Sequence, residues 1–502
     1  MYKRNWIFGG VYIRIVAMSY IRKYKRGNST YVQIVFKDGR RISKIIHIGT
    51  ARNQVELDVL LLKAETLQLG EKQMSLFPEK ELKPRLQTTG TFSKLLYSLI
   101  KSSYQNLQFD KINDYVFQNL VVARIAEPVS KLDSIRVLEE LGVSNISKDK
   151  IHRSLRKTIR NDYRKTISGL CVQNRNINYI NILLYDVTTL YFEIPKEDKL
   201  RIPGLSKERR LEPQIVIGLL VDHTGFPLSL QMFQGNTAET KTIVPVLQKF
   251  REEYKIKNLT VVADSAMLNQ KNIQDIEKNG FNYIIGSRQQ KMPFAIEEYL
   301  KTNIVPNDLD VVEGVLSKGQ RAIYQYSAKR ARLDMRNIEK QIQKAEKVIA
   351  GTSTVKKSKF VKFNAKNKKL NEALIEKAKS LAGFKGYITN LSLPAERIIK
   401  YYHDLWHVEA TFRMSKHDLK ARPIFHQTEE SIEAHLTIVM AALAVSKLME
   451  EKSGLSIRRI VNLLKPMRSA VLISNTDSST LEVPPHIPQT LSQLIKQLSR
   501  GY

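Results

Sequence analysis

The sequence predicts an α/β protein built on one mixed sheet, with a basic β-hairpin and a helical region before it and a long insertion within it. Three observations carry that expectation. From residue 177 to 287, short apolar runs alternate with amphipathic stretches. Those runs are nearly continuous in apolar residues, as strands covered on both faces require. Residues 288–390 then interrupt the rhythm before a strand-like and a helical stretch resume it.

The elements follow in order. Residues 19–49 alternate in the strand manner around Lys37-Asp38-Gly39, and Asp-Gly is a favoured hairpin turn. Residues 55–68 turn helical, and 72–91 read as a polar, Pro-containing linker. Residues 92–170 read as helical throughout. Within them Gly142 ends one amphipathic helix, 130–141, and Ser147 caps a second that carries Ile151 and Leu155 together with Lys148, Lys150, Arg153, Arg156 and Lys157. Two short helices around a glycine turn, the second basic, fit a helix-turn-helix as well as two members of a bundle.

Strands are expected at 180–187, 214–221 and 227–233, the last two joined by the turn 222–225. A helix (239–254), a strand (259–263), a helix (270–279) and a strand (283–286) complete the series. Three strands in meander, then helix, strand, helix, strand, is the order of a ribonuclease-H-like sheet. The interruption holds a long charged helix, 327–349, and a Lys-rich segment, 356–369, which is a solvated loop or a phosphate contact. Residues 386–391 read as a returning strand. One long helix is expected from Pro394 through Trp406 towards His417, an apolar helix at 432–449, and a tail rich in Ser, Thr and Pro from 474. The expected domains are therefore 1–70 (hairpin and helix), 92–175 (helical, with the helix-turn-helix candidate), 178–287 with 391–450 (ribonuclease-H-like core), 288–390 (insertion subdomain) and 451–502 (tail).

Charge narrows the partner. Lys and Arg number 81 against 49 Asp and Glu, a net of +32 in 502 residues. Self-repulsion at that level costs stability, and a polyanion relieves it with release of counterions. A nucleic acid is the expected partner. Cys171 is the sole cysteine, which excludes an intrachain disulfide and a multi-cysteine zinc site and suits a reducing cytosol. No run approaches the roughly 20 apolar residues of a membrane span, so no membrane partner is expected.

Three carboxylates stand out. In Leu183-Leu184-Tyr185-Asp186-Val187 an apolar strand delivers an acid at its end, and Val261-Val262-Ala263-Asp264-Ser265 repeats the pattern. Each Asp alone fits a turn-capping role. In a ribonuclease-H-like sheet, however, these two strands are neighbours and their acids meet. Like charges side by side repel, and divalent cations remove the penalty. The third acid, Glu409, lies on the helix from Pro394. Tyr402, Glu409 and Lys416 are seven apart and share one stripe of a regular helix, with Arg413 one turn beyond Glu409. A surface ion pair, Glu409 to Arg413, is the simpler reading of that helix. His403 and His407 have zinc-ligand spacing, but Asp404 replaces the general-base Glu that follows the first His in zinc hydrolases, so they read as helix residues or phosphate contacts.

These residues resemble the Asp-Asp-Glu transposases of bacterial insertion sequences, in the branch with Tyr-x2-Arg-x3-Glu-x6-Lys on the last acid's helix. Here that signature reads Tyr402, Leu405, Glu409 and Lys416. Leu405 replaces the Arg, and Arg413 or His403 stands in for it. The segment Gly235-Asn236-Thr237-Ala238-Glu239-Thr240 is similar to the family's loop after the third strand. The resemblance spans residues 178–450, with 288–390 where the family inserts a subdomain. It implies a cytoplasmic bacterial enzyme that binds terminal inverted repeats and target DNA and acts as a homodimer. Two Mg²⁺ or Mn²⁺ ions held by Asp186, Asp264 and Glu409 would serve phosphodiester hydrolysis and strand transfer. It also implies DNA contacts by Tyr402, Trp406, Arg413 and Lys416, with Trp406 either stacking an unpaired base or packing in the core. A nuclease without strand transfer and a non-catalytic DNA-binding relative are the alternatives.

Overall fold

A computed structural model describes residues 18–69, 86–177, 181–192, 197–204, 212–265, 270–287, 292–303, 306–316, 319–352, 358–363, 368–422, 424, 426, 428–474 and 479–499. Expectations for residues 1–17, for 72–85 and for part of the Lys-rich segment fall outside that set. Strands β1 (Met18–Arg26), β2 (Ser29–Asp38) and β3 (Arg41–Ala51) come first, then α1 (Gln54–Leu69) and β4 (Leu86–Phe92). A helical stretch follows: α2 (Lys94–Asn106), α3 (Tyr115–Ala126), α4 (Ser134–Glu140), α5 (Lys148–Arg160) and α6 (Tyr163–Asn174). The alternating region holds β5 (Asn181–Tyr191), β6 (Gln214–Asp222), β7 (Pro227–Gln234), α7 (Ile243–Tyr254), β8 (Leu259–Ala263), α8 (Gln270–Lys278) and β9 (Asn282–Ser287). The interruption contains α9 (Phe294–Thr302), β10 (Val311–Val315), β11 (Arg321–Tyr326), α10 (Ala328–Ile349), β12 (Val361–Phe363), β13 (Lys368–Leu370), α11 (Glu372–Ser380) and β14 (Phe384–Thr389). After it come α12 (Ala395–His403), α13 (Trp406–Arg413), α14 (Glu429–Ser453), α15 (Ile457–Leu464), β15 (Ser469–Ser474), β16 (Thr480–Val483) and α16 (Gln489–Ser499).

The chain divides into two compact units: Met1–Ser98, Arg136–Ser144 and Val461–Ile495 in the first, Leu99–Ile135, Asn145–Ile460 and Lys496–Tyr502 in the second. In the first unit, β1, β2 and β3 form an antiparallel sheet, one strand more than a hairpin. Residues 86–92, expected to end a linker, form β4 instead, and β4 pairs with β15 in a second sheet, β16-β15-β4. Thr88, Thr89 and Thr91 explain the change, since β-branched residues suit a pleated surface. Asp58 of α1 is buried, and Gln54 (3.1 Å) and Ser474 (3.0 Å) donate to its carboxylate, which offsets the cost of burying it.

The second unit is mixed α/β around a sheet of order β10-β11-β14-β9-β8-β5-β6-β7. β5, β6 and β7 run as an antiparallel meander, while β8 pairs parallel to β5, and β9 parallel to β8. That is the expected strand series, and every residue of β6 and β8 is buried, as their apolar runs require. The interruption does not stand apart from this sheet. β14 pairs with β9, β11 with β14 and β10 with β11, so part of it extends the sheet at one edge. Its helices α10 and α11 close a satellite core around Phe360, Ala345 and Ile375.

α14 is long and apolar enough to cross a membrane by length and composition, and 89% of its apolar window is buried inside the protein. It packs on α3, α5, α6 and β7 and reads as a core helix. α5 packs on α3, α14 and α6 through Ile151, Ser154 and Thr158, and Ser147 caps it as expected, accepting from the Lys150 amide.

Candidate active site

Strand pairing brings the two aspartates together. Asp186 does not end its strand: Val187, Thr188 and Thr189 continue the ladder with β6, and β5 runs on to Tyr191. The β5–β8 pairing ends at Leu184 opposite Val262, and Asp186 and Asp264 lie two residues further on each strand. A side-chain period of two puts both on the face of Leu184 and Val262, one strand spacing or roughly 5 Å apart in the backbone. β8 stops at Ala263, which leaves Asp264 exposed, while Asp186 is half-buried. The Ser265 amide (2.7 Å) and the Tyr402 hydroxyl (3.2 Å) both donate to Oδ1 of Asp264.

Tyr402 reaches Asp264 because α12 packs on β8 and β9, where Gly286 leaves room for it. A Cβ at Gly286 would run into the Tyr402 hydroxyl. The Tyr387 ring meets Tyr402 edge-on at 5.0 Å, and the Lys385 ammonium lies 4.4 Å above the Tyr402 ring. Burial chiefly, then the charge and hydrogen bond of Asp264, and more weakly Glu409, hold the Tyr402 phenol well above its usual range. It therefore acts as a hydrogen-bond donor that orients Asp264. Burial, with Arg330 nearby, lowers the Lys385 ammonium from its usual value, and Asp264 opposes the shift. For the DNA nicking that the transposase resemblance implies, Tyr402→Phe is expected to lower the rate about tenfold, the scale of a lost hydrogen bond to a charged group. The Mg²⁺ concentration for half-maximal rate should rise as well; a slower rate with unchanged Mg²⁺ dependence would mean that Tyr402 does not orient Asp264.

The expected single helix from Pro394 is broken. The amides of Leu405, His407 and Val408 donate three residues back rather than four, which separates α12 from α13, and a π-helical turn at Met414–Asp418 follows. Such departures change the rotation per residue, so the seven-residue stripe is not one uniform face. Tyr402 is buried, Glu409 exposed and Lys416 half-buried. Leu405, at the signature's Arg position, is buried and takes no part in binding phosphate.

Glu409 sits on α13, which packs on β5 and β6. Among the described residues it makes no ion pair, so the Glu409–Arg413 pair expected of a plain surface helix is not formed. α13 is fastened by Thr411, whose hydroxyl donates to the carbonyl of Gly225 at 2.8 Å. Gly225 lies in the β6–β7 turn at φ 86°, where a Cβ would meet Thr411 at 3.0 Å and His407 at 3.1 Å. Asp222 shapes that turn by accepting from the amides of Thr224 (2.8 Å) and Phe226 (2.9 Å). Trp406 is 58% exposed, which removes the core reading, and one side of its indole rests on His407 at 3.8 Å. Arg413 is exposed too. His403 faces Tyr387 while His407 faces the Gly225 turn, so the two histidines do not share one pocket.

Beside Asp264 and Tyr402 opens a cleft of about 850 Å³, walled by α10 and α11 and lined by Arg330, Lys359, Lys377 and Lys385. Lys359 falls in the Lys-rich segment 356–369 already read as a solvated loop or a phosphate contact; Arg330, Lys377 and Lys385 carried no such signal beyond Lys385 abutting the returning strand. On α5, Lys148, Lys150, Arg153, Arg156 and Lys157 are all exposed.

Among the described residues, no three His, Cys, Asp or Glu side chains stand close enough to cage a metal ion. The structure places Asp186 and Asp264 at neighbouring register positions and carries Glu409 on a helix that packs on the Asp186 strand, without bringing all three carboxylates to one point. A partial set of hard oxygen donors still fits Mg²⁺, which keeps several waters and takes one or two carboxylates together with substrate phosphates.

No curated protein matches the chain. Among solved structures, a piggyBac transposase synaptic complex with hairpin DNA is similar at a TM-score of 0.36 and 10% identity, over 80% of this chain and 75% of that one. The family model of the transposase DDE domain matches residues 180–445, more than half of the chain and the whole interval from β5 to α14 that holds the three acids. The chain belongs to the transposase DDE domain family.

Proposed function

We propose that this chain is the transposase of an insertion sequence, which binds terminal inverted repeats and carries out metal-dependent phosphodiester hydrolysis and strand transfer. The observation that carries the proposal is the shared register of Asp186 and Asp264 on adjacent parallel strands, within the family match. On this reading the β5–β9 series is a ribonuclease-H-like core, residues 288–390 are its inserted subdomain, and Asp186, Asp264 and Glu409 hold two Mg²⁺ or Mn²⁺ ions. Bound divalent cations supply an activated water or 3′-hydroxyl and polarise the phosphoryl oxygens.

The chain's own residues do the rest. Tyr402 orients the Asp264 carboxylate through its hydroxyl. Arg330, Lys359, Lys377 and Lys385 line the adjoining cleft and attract the phosphate backbone. Exposed Trp406 offers one ring face to an unpaired base at the cut end, and Arg413 and Lys416 follow it on the same segment towards the DNA. Holding two DNA ends together calls for at least a dimer.

The deciding experiment offers a DNA end with a free 3′-hydroxyl, a target plasmid and Mg²⁺, and looks for joined product. Cleavage without joining would make the chain a nuclease and overturn the proposal. The basic face of α5 supports DNA binding separately. Lys148→Gln, Lys150→Gln and Arg153→Gln together are expected to weaken terminal-DNA binding and to reduce the log–log salt slope by about 2–3, at ~0.9 per lost phosphate contact. An unchanged slope would remove α5 from the interface.

A further inference from the structure

The first unit presents a sheet face that nothing above uses. α1 covers one side of β1-β2-β3, where Val32, Ile34, Leu61 and Ala64 form a core with Ile21, Phe36 and Ile46. Strand alternation sends Tyr20, Arg22 and Tyr24 of β1, Tyr31, Gln33, Val35 and Lys37 of β2, and Ile45 and His47 of β3 to the opposite side. The pairing aligns them in rows: Arg22 beside Gln33 beside His47, and Tyr24 beside Tyr31. Tyr20, Tyr24 and Ile45 remain 39%, 41% and 45% exposed. Its aliphatic residues are Val35, which is buried, and Ile45; around them the face interleaves phenols, an imidazole, an amide and cations.

Charge selects the occupant. Arg22, Arg26 and Lys37 lie on this face and Arg40 and Arg41 at its turn beside the one acid, Asp38; with Lys23, Lys25 and Lys44 on the other side, residues 18–51 carry a net of +7. The ring faces are already engaged. Tyr24 and Tyr31 stack on each other at 5.2 Å, Arg22 lies 5.6 Å over Tyr24, and Lys37 lies 5.2 Å over Tyr20. Arg22 is steadied by donating to Gln33 at 2.7 Å. With the rings occupied, the face offers hydrogen-bonding groups rather than flat platforms for stacking loose bases. Its size also fits a groove. Three strands span about 10 Å across, against a major groove roughly 12 Å wide, and nine residues of β1 span about 30 Å, close to one turn of duplex.

We propose that this face of the β1-β2-β3 sheet binds duplex DNA, a second contact beside α5, resting on the reading that the chain acts on DNA. Arg22, Gln33 and His47 point to base edges, and Lys37 with the turn residues Arg40 and Arg41 meets the flanking phosphates.

The test uses the full chain and a labelled mixed-sequence duplex of about 30 base pairs, roughly three turns, with binding followed by anisotropy across a salt series. R22Q/K37Q is expected to bind at least about tenfold more weakly, with a salt slope smaller by about two. Because Arg22 is hydrogen-bonded in the sheet, R40Q/R41Q at the exposed turn is the second variant, with the same expected slope change. K63Q, on α1 and away from this face, should behave as wild type. Binding by both double variants equal to that of K63Q, with Mg²⁺-dependent cleavage intact, overturns the sheet proposal and leaves the transposase reading standing. A wild-type chain that neither binds nor cleaves DNA overturns both. Tighter binding of the matching single strand, lost in R22Q/K37Q, also overturns the proposal, in favour of a base-stacking surface.

Discussion

Asp186→Asn, Asp264→Asn and Glu409→Gln are each expected to lower Mg²⁺-dependent nicking of terminal DNA by about three orders of magnitude, or ~4 kcal/mol of lost transition-state stabilisation. The shape of each side chain is kept, so the effect reads charge and ligand strength rather than packing. Folding should be spared. Asp186 and Asp264 are like charges at neighbouring register positions, and removing one relieves repulsion. Thermal stability is therefore expected to stay within about 1 kcal/mol of wild type or to rise slightly. Glu409→Gln is the most informative of the three, because the structure does not gather that carboxylate with the aspartates. Nicking at the wild-type rate in any one variant removes that residue from the proposed site.

Much of this arrangement was legible in the sequence, and the parts that were not share a physical reason. β6 and β8 were readable because strands buried on both faces must be apolar throughout. The end of β5 was misjudged because Asp186 reads as a strand end, although Val187, Thr188 and Thr189 favour extension and find partners on β6. β10 was not legible since an edge strand with one partner tolerates exposure, and Glu313 and Val315 are exposed. The break between α12 and α13 has no sequence signal at all: no Pro or Gly occurs from 395 to 418, and Leu405 suits a helix. Tertiary packing sets it, since Leu405 is buried while α13 is drawn onto β5, β6 and the Gly225 turn. The cleft cations Arg330 and Lys385 were illegible for the same reason: they stand 55 residues apart in sequence and meet only when β14 joins the sheet.

That fastening of α13 leads to the second large effect, expected from Gly225→Val. At φ 86° a β-branched residue is strained by about 1–2 kcal/mol. Its Cβ would also press on Thr411 and His407, and overpacking of this kind costs about 1–3 kcal/mol more. The unfolding transition that reports this unit should fall by several degrees, at about 2–4 °C per kcal/mol. Activity should fall further than stability. A displaced α13 carries Glu409 away from the aspartate strand, and a misplacement of about 1 Å costs on the order of 10²-fold. Gly225→Asn separates the two causes, since Asn tolerates positive φ but keeps the Cβ contact. If strain dominates, Asn restores most of the stability and of the nicking; if contact with α13 dominates, it restores neither. The double change Gly225→Ala with Thr411→Ala should then be less damaging than the sum of its parts, because the hydroxyl that the new Cβ would strike is gone. Strict additivity would show that the turn and α13 are uncoupled, and the position of Glu409 would have to be set by the Leu405 break instead.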